Sequence, residues 1–437
     1  MTTPPDMPAA TPAVTPDVFP IIGWDPLPAA LTRADTLRHI RDCGINVFMT
    51  CRGPQDAITR QLDLAAEVGV QALVCDPRAH TTRQEGWQDN MRAALAQYRA
   101  HPAVFGFDVF DEPTFTEWQE RPTVPDVAAA VALARELAPE KVAYVNALGF
   151  GSRGKDSFAD YLESYARIIQ PAFLSFDCYP ISRVPPACDW AHWYAADCGV
   201  EVPELGAYYR DCYWESWETA LQVGRATGLP LWGFVLAVPH EHSIWFYGPV
   251  TEGTVRLEVF TALAYGAKAI QYFSLPTPTN CAHYEDAILD ADGHPSARYD
   301  IFRRVNRRLA LLGPRMRDFT VRGVYHTGER IPSGTRRFRA ERFGSDSSHR
   351  PVSHIAGDPV IASFQCDAAG ERYLLLVNRH PARAARVQLT LDDGWQAVRL
   401  GAHTGQPVQT AGPRLTVNFE PGDGWLFHLR PGENAGG

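Results

Sequence analysis

Residues 104–113 read Val-Phe-Gly-Phe-Asp-Val-Phe-Asp-Glu-Pro, an apolar run that stops abruptly on two carboxylates and a proline. A strand this apolar is normally buried on both faces, as in a parallel sheet. Pro113 has no amide proton to give a central ladder, so the chain leaves the sheet there. Asp111 and Glu112 are thereby delivered to the carboxyl end of a buried strand, the end at which parallel α/β architectures do their chemistry. Capping the next helix would take one acid, not two, so the pair points to a functional site.

Eight short apolar segments alternate with amphipathic ones from about residue 18 to 313. The strand candidates are Phe19–Trp24, Ile45–Cys51, Val70–Cys75, Val104–Phe110, Val142–Asn146, Phe173–Cys178, Leu231–Ala237 and Ala269–Phe273. Helical patterns between them end in Gly or Pro, as helix stops should. Eightfold strand–helix alternation predicts a (β/α)8 TIM barrel. An open doubly wound sheet is the rival, but no GxGxxG follows the first strand. Beyond Gly313 the texture becomes alternating polar and apolar, with Gly, Asp and Pro turns and no helix, which predicts a C-terminal antiparallel β-sandwich. The expected division is a flexible tail at 1–17, a barrel at 18–317 and a β-sandwich at 318–437, with 343–358 as a polar loop.

In such a barrel the strand ends assemble one ring. Trp24 and Asp25 follow strand 1, Arg52 strand 2, Asp76 strand 3, Asp111 and Glu112 strand 4, and Asn146 strand 5. Asp177 and Tyr179 close strand 6, His240, Glu241 and His242 follow strand 7, and Tyr272 and Ser274 end strand 8. There is no lysine for a Schiff base and no phosphate-cradling glycine loop. Acids with aromatics suit a neutral polyol, carboxylates bonding the hydroxyls and rings stacking on the apolar face of a sugar.

Three segments carry a resemblance to the clan A glycoside hydrolases, above all to family-42-type β-galactosidase barrels. They are Asp111-Glu112-Pro113, the stretch ALAYGAKAIQYF at 262–273, and the ending PGDGWLFHL. The resemblance implies that Glu112 is the general acid/base, that Asp111 holds a sugar hydroxyl where the clan has Asn, and that Arg52 steadies the catalytic carboxylates. It also implies a nucleophilic Glu at the end of strand 7, where this chain reads LWGFVLAV. Glu241 reaching back from the loop, Asp177 at a wider inverting separation, or a further loop acid (Glu252, Glu285, Asp286) would supply the second carboxylate. Otherwise the barrel binds sugar without cleaving it.

The expected sugar contacts are Trp24, Asp25, Arg52, Asp111, Asn146, Tyr179, His240, Trp245 and Tyr272, with Trp190 and Trp193 in the long loop 180–217 as subsite candidates. In that region Tyr209, Tyr213 and Trp217, spaced by four, read as one face of a helix packed on the barrel. His240-x-His242 invites a metal reading, but metal hydrolases on barrels usually add an HxH on strand 1, absent from IIGWDP. No metal and no cofactor is expected, and the expected partner is a carbohydrate substrate.

The formal charge of −9, without a basic run, argues against nucleic acid or an anionic membrane surface. No apolar stretch approaches the roughly 20 residues that span a bilayer. The Pro/Thr/Ala-rich N-terminus lacks the basic and apolar regions of a secretory signal, so a cytoplasmic location is expected. The nine cysteines form no CxxC pair, and reduced thiols are expected. A homo-oligomer is compatible with the sequence, the β-sandwich at 318–437 being the part that would contribute to it.

Overall fold

The computed structural model describes residues 18–117, 121–149, 157–183, 200–210, 212–242, 245–279, 283–339, 351–402 and 404–432, with His242, Trp245 and 409–411 described by their backbone. The expected tail at 1–17, Trp190 and Trp193 lie outside these residues. Eight parallel strands, β1 (Ile21–Pro26), β2 (Val47–Met49), β3 (Gln71–Val74), β4 (Val104–Asp111), β5 (Val142–Asn146), β6 (Leu174–Phe176), β7 (Leu231–Leu236) and β8 (Ala267–Phe273), form one sheet. Its order is β5-β4-β3-β2-β1-β8-β7-β6. A bridge between Ala147 and Phe176 brings the first and last strands together. The strands are short and apolar because both faces are covered, by one another's side chains inside and by helices outside.

The helices are α1 (Ala34–Asp42), α2 (Gln55–Val68), α3 (Trp87–Tyr98), α4 (Val124–Leu137), α5 (Phe158–Ile169), α6 (Cys212–Thr227), α7 (Glu252–Ala264) and α8 (Tyr299–Met316). Their ends follow local chemistry. Thr123 and Asp126 make a reciprocal capping box at the start of α4, and the Ser157 hydroxyl accepts from the Asp160 amide to open α5. Gly69 at φ 84° ends α2 in the left-handed conformation that glycine adopts without strain. Helix α6 begins at Cys212, so Tyr209 is not on it. Tyr209 lies instead in a short strand at 207–209, where its hydroxyl donates to the Arg379 carbonyl (2.6 Å).

Inside the barrel the floor is aromatic. Trp232 of β7 stacks on Phe173 with centroids 3.6 Å apart, and Phe105 and Tyr144 from the opposite strands close against it. Over the strand 6–7 side of the mouth stands a small antiparallel sheet built from 181–182, 201–202, 207–209, 240–242 and 245–247.

After α8 the chain turns antiparallel: β9 (Thr320–His326), β10 (Val352–Gly357), β11 (Val360–Cys366), β12 (Arg372–Asn378), β13 (Ala385–Leu391), β14 (Trp395–Leu400), β15 (Pro407–Ala411), β16 (Arg414–Phe419) and β17 (Gly424–Pro431). They make a six-stranded sheet, β9-β11-β12-β17-β14-β15, and a three-stranded sheet, β10-β13-β16. The predicted polar loop at 343–358 is thus a strand from Val352 onward, because Val352 and Ile355 turn inward against the other sheet.

The six-stranded sheet is buried on both faces. Ile361, Leu375, Val377 and Leu426 join the barrel core, while Val360, Ala362, Leu374, Leu376 and Phe427 pack against the smaller sheet. Helix α7 is the seam: its terminal carbonyls at Leu263 and Ala264 accept from Gln365 Nε2 and Ser363 Oγ. Arg308 on α8 pairs with Asp423 and donates to the Gly424 carbonyl (2.7 Å). No helix among the described residues is long and apolar enough to cross a membrane.

Candidate active site

The β4–β5 ladder runs to its last rung, Asp111 opposite Asn146, and the Glu112 amide then donates to the Asn146 carbonyl (3.0 Å). At Glu112 the backbone switches to φ 53°, and at Asp25, one residue before the end of β1, to φ 77°. Non-glycine residues are rare there and concentrate where a side chain must be aimed against local preference. At Glu112 the chain leaves its strand, and at Asp25 the β1–β2 register shifts before Pro26 pairs with Met49, each with a carboxylate at the barrel rim.

Asp111, Glu112 and Asp177 gather around Asn146. The Asn146 amide nitrogen donates to Asp111 Oδ1 (3.2 Å) and, at longer reach, to Asp177 Oδ1 (3.4 Å). Glu112 is hydrogen-bonded to Asp177. All three acids are enclosed by protein yet keep some surface toward solvent. Burial, then the charges of Asp177 and Asp111, pushes Glu112 well above the usual carboxylate range, against a smaller opposing pull from Arg121. Asp111 is pushed up to about 7 by burial and by Asp177 and Asp108, with Asn146 and Arg121 opposing. Burial raises Asp177 as well, but hydrogen bonds from Glu112, its own backbone and Asn146 favour its anion. The pair therefore titrates as one unit, with burial and the neighbouring charges favouring the protonated form of Glu112.

The loops around the pair are pinned. Arg121 lies over the Phe110 ring (5.5 Å) and donates to the Asp111 carbonyl (2.7 Å). The Tyr161 hydroxyl donates to the Pro113 carbonyl (2.8 Å) and accepts from the Leu148 amide (2.9 Å). Gly149 passes so close to Asp177 that any side chain there would overlap the Asp177 carbonyl.

A second polar cluster faces the first. Asp108, buried within β4, accepts from Arg52 Nη2 (3.1 Å) and lies 3.2 Å from His80 Nε2. Burial works to raise Asp108, but His80 and Arg52 outweigh it and hold the carboxyl below its ordinary value. Asp25 is pushed up to about 6 by burial, with Arg52 opposing.

A carboxyl raised by folding binds its proton more tightly when folded. Stability therefore falls as pH rises from 3.8 to about 6, and the full penalty stands above that window. Asn tolerates the left-handed backbone at this position. Asp25→Asn is accordingly expected to be more stable at pH 8 by on the order of 2–3 kcal/mol. The gain should vanish below pH 3.8, and denaturant titrations at the two extremes check it.

Of the remaining expected residues, Tyr179 lies within reach of the Asp177 and Glu112 charges, and Trp24 packs on Phe234 and Phe273. The Tyr179 ring lies near Phe273 (6.1 Å) and Tyr247 (5.1 Å), and its buried hydroxyl has no partner among the described residues. His240 is buried in the mouth sheet, with Nδ1 2.9 Å from the Val238 carbonyl oxygen and its ring near Tyr284 and Phe273. Glu241 is about half exposed and 3.9 Å from Arg183, and it is not among the charges acting most strongly on the three acids. Trp245 stands in the mouth sheet by its backbone. Among the described residues no group of three His, Cys, Asp or Glu is arranged to hold a metal ion.

Tyr272 corrects the sequence reading. Its neighbours Gln271 and Phe273 point into the barrel, so strand alternation turns Tyr272 outward, where its hydroxyl donates to Asn306 of α8 (2.6 Å). Tyr272→Phe is expected to cost about 1–3 kcal/mol of stability, leaving a buried amide under-satisfied, and to leave KM for any substrate unchanged. Thermal melts paired with kinetics check both halves.

Sequence reasoning missed Asp108, His80, Arg121, Tyr144, Ser175 and Gln271. The signal was a polar residue inside an otherwise apolar strand, since a buried polar group needs a partner. Asp108 in VFGFDVF, Ser175 in LSF and Gln271 in AKAIQYF all carry it.

No protein-family model matches this sequence, and no curated protein matches it. Among solved structures it is similar to a catalytic mutant of a GH42 β-galactosidase from G. stearothermophilus, at 10% identity and TM-score 0.52, over 94% of this chain and 98% of that one. It is similar also to a putative α-galactosidase/melibiase from Bacteroides fragilis, at 11% identity and TM-score 0.50, over 95% and 81% of the two chains. A β-galactosidase from the psychrophilic Marinomonas ef1 shares 13% identity at TM-score 0.46, over 65% of this chain and 58% of that one. The chain thus spans little more than half the length of that enzyme. At these identities the likeness establishes the architecture: in fold, this chain is an eight-stranded parallel barrel with a C-terminal antiparallel β-domain, like the glycoside-hydrolase barrels that its strand-4 ending resembles.

Proposed function

We propose that this protein hydrolyses a β-linked glycoside, galactoside-like and exo-acting, with Glu112 as general acid/base and Asp177 as the second carboxylate. One observation carries the reading: at the carboxyl end of a barrel strand, two enclosed carboxyls, Glu112 and Asp177, stand in hydrogen-bond contact, with burial and charge favouring the protonated form of Glu112. Cleavage of a glycosidic bond needs a proton for the leaving oxygen and negative charge near an oxocarbenium-like centre. Glu112 supplies the first and Asp177 the second.

In the free protein the Glu112 proton is donated to Asp177. A bound glycoside offers its bridging oxygen as the new acceptor, and Asp177 is then released as an anion toward the sugar or its attacking water. Glycosidases hold their working carboxyls about 5–5.5 Å apart for retention and roughly 6.5–9.5 Å apart for inversion. The substrate must therefore part this pair before the bond breaks. Asp111 and Asn146 are placed to bond sugar hydroxyls, Arg52 and Asp25 to line the opposite wall, and Trp24 and Tyr179 to offer apolar ring surface. Arg52 holds Asp108, rather than the catalytic pair that the resemblance implied.

A carbohydrate-binding barrel without hydrolysis is the second reading. It is favoured by the end of β7, where Leu236, Ala237 and Val238 are buried and no acid stands. A panel of aryl glycosides separates the two. Release of the aglycone from any member, abolished by Glu112→Gln, supports hydrolysis; sugar binding with no release from any member overturns it.

A further inference from the structure

A chain of hydrogen bonds crosses the barrel interior below the acids. Tyr144 OH donates to Gln271 Oε1 (2.6 Å), Gln271 Nε2 donates to Ser175 Oγ (2.8 Å), and Ser175 Oγ donates to Asn146 Oδ1 (2.8 Å). Asn146 Nδ2 then faces Asp111 and Asp177. Tyr144, Ser175 and Gln271 are fully buried, so each proton in the chain must find a protein acceptor. We propose that Tyr144, Gln271 and Ser175 are positioning residues that lock the Asn146 amide with its N–H groups toward Asp111 and Asp177, so that Glu112 is the member of the acid cluster that keeps the proton. The proposal rests on the glycosidase reading for its purpose, though not for its geometry.

Such a chain has two self-consistent directions, and the structure selects one. Reversed, Asn146 would present its carbonyl oxygen to the two aspartates, each of which would then have to carry a proton. Gln271 would donate to Tyr144, whose single proton would be left without its carboxamide acceptor. The donor-only indole N–H of Trp24, which makes no hydrogen bond among the described residues, lies on the Tyr144 side of the chain. A donor-only neighbour on that side offers the phenol proton no acceptor, which leaves Gln271 Oε1 to take it.

From there each link has one choice. Gln271 accepts on oxygen and donates on nitrogen; Ser175 accepts from Gln271 and has one proton left, which goes to Asn146. Two N–H groups on two carboxylates favour both anions. With Asp177 held as an acceptor, the hydrogen bond that it shares with Glu112 needs its proton from Glu112. The other charges acting on Glu112 are Asp111, which favours the same assignment, and Arg121, which opposes it.

Neutron diffraction from deuterated crystals of the unmodified protein tests this without any turnover. The expected result is deuterium on the Asn146 atom facing the aspartates, on Ser175 Oγ toward Asn146, and on Glu112. A carbonyl oxygen facing the aspartates, or deuterium on Asp177 instead of Glu112, overturns the proposal. In solution Ser175→Ala and Gln271→Leu break different links. Each is expected to move the acid limb of the kcat/KM profile about one pH unit higher, as Asp177 loses the N–H that favours its anion. An unmoved limb in a variant that melts like wild type also overturns it. If the neutron map is as expected and no glycoside is cleaved, the functional reading fails and the relay stands.

Discussion

Glu112→Gln is expected to bind sugar as wild type does and to lose about three orders of magnitude in kcat on substrates with poor leaving groups. The substitution keeps the shape of the side chain and replaces a neutral carboxyl by a neutral amide. Its N–H still donates to Asp177, so the fold and the approach of the sugar are preserved. What disappears is the transferable proton. An alkoxide leaving from an alkyl glycoside needs that proton in the transition state, whereas an activated nitrophenolate hardly does. The loss should therefore be steep for alkyl glycosides and much smaller for activated aryl glycosides, with KM little changed in either case. Parallel kinetics on one sugar with two leaving groups reads the contrast. Alkyl glycoside turnover within about tenfold of wild type would remove Glu112 from proton donation.

The sign of the pH dependence follows from the same contact. Glu112 is needed protonated and its pKa is raised, so activity persists as pH increases until that proton is lost; Glu112 sets the alkaline limb. Asp177 is needed ionised and sets the acid limb, and its own rise narrows the working window from below. A bell displaced toward neutral from the ordinary carboxylate range is the expected profile.

The barrel was legible because its strands are bounded by chemistry that sequence displays: apolar runs, Gly and Pro stops, and Pro113 forcing the exit from β4. Asp111 and Glu112 were legible for the same reason, standing where an apolar run ends. Tyr272 departs from the expectation because position at a strand end does not show which face a residue occupies; one step along β8 separates the barrel interior from the helix layer. The partnership of Glu112 with Asp177 was invisible for a different reason. It joins the ends of strands 4 and 6, separated by 65 residues of chain and made neighbours by Asn146 between them. Nothing local at Asp177 signals it, and Gly149, whose missing side chain lets the β5 loop approach that carbonyl, reads in sequence as an ordinary loop glycine. The polar relay is hidden from a reading of strand ends because Ser175 and Gln271 sit in mid-strand.

Asp177→Asn is the complementary experiment, and its expected signature differs in kind. Removing the Asp177 charge removes the strongest electrostatic reason, after burial, for Glu112 to stay protonated. The alkaline limb should move to lower pH, opposite to the naive expectation that loss of a carboxylate leaves the other acid untouched. The variant also removes the negative charge meant to meet the oxocarbenium-like centre, or to activate the water that attacks it. That need is indifferent to the leaving group. Activated and unactivated glycosides should therefore both slow by about 10²–10⁴-fold, where Glu112→Gln spares the activated ones. The double variant should cost little beyond the worse single change, because residues that act as one unit lose their joint function once. Additive losses, or an alkaline limb unmoved by Asp177→Asn, would mean that the two carboxyls are neighbours without being partners. The second carboxylate would then have to be sought on the opposite wall, where Asp25 stands with a pKa of about 6.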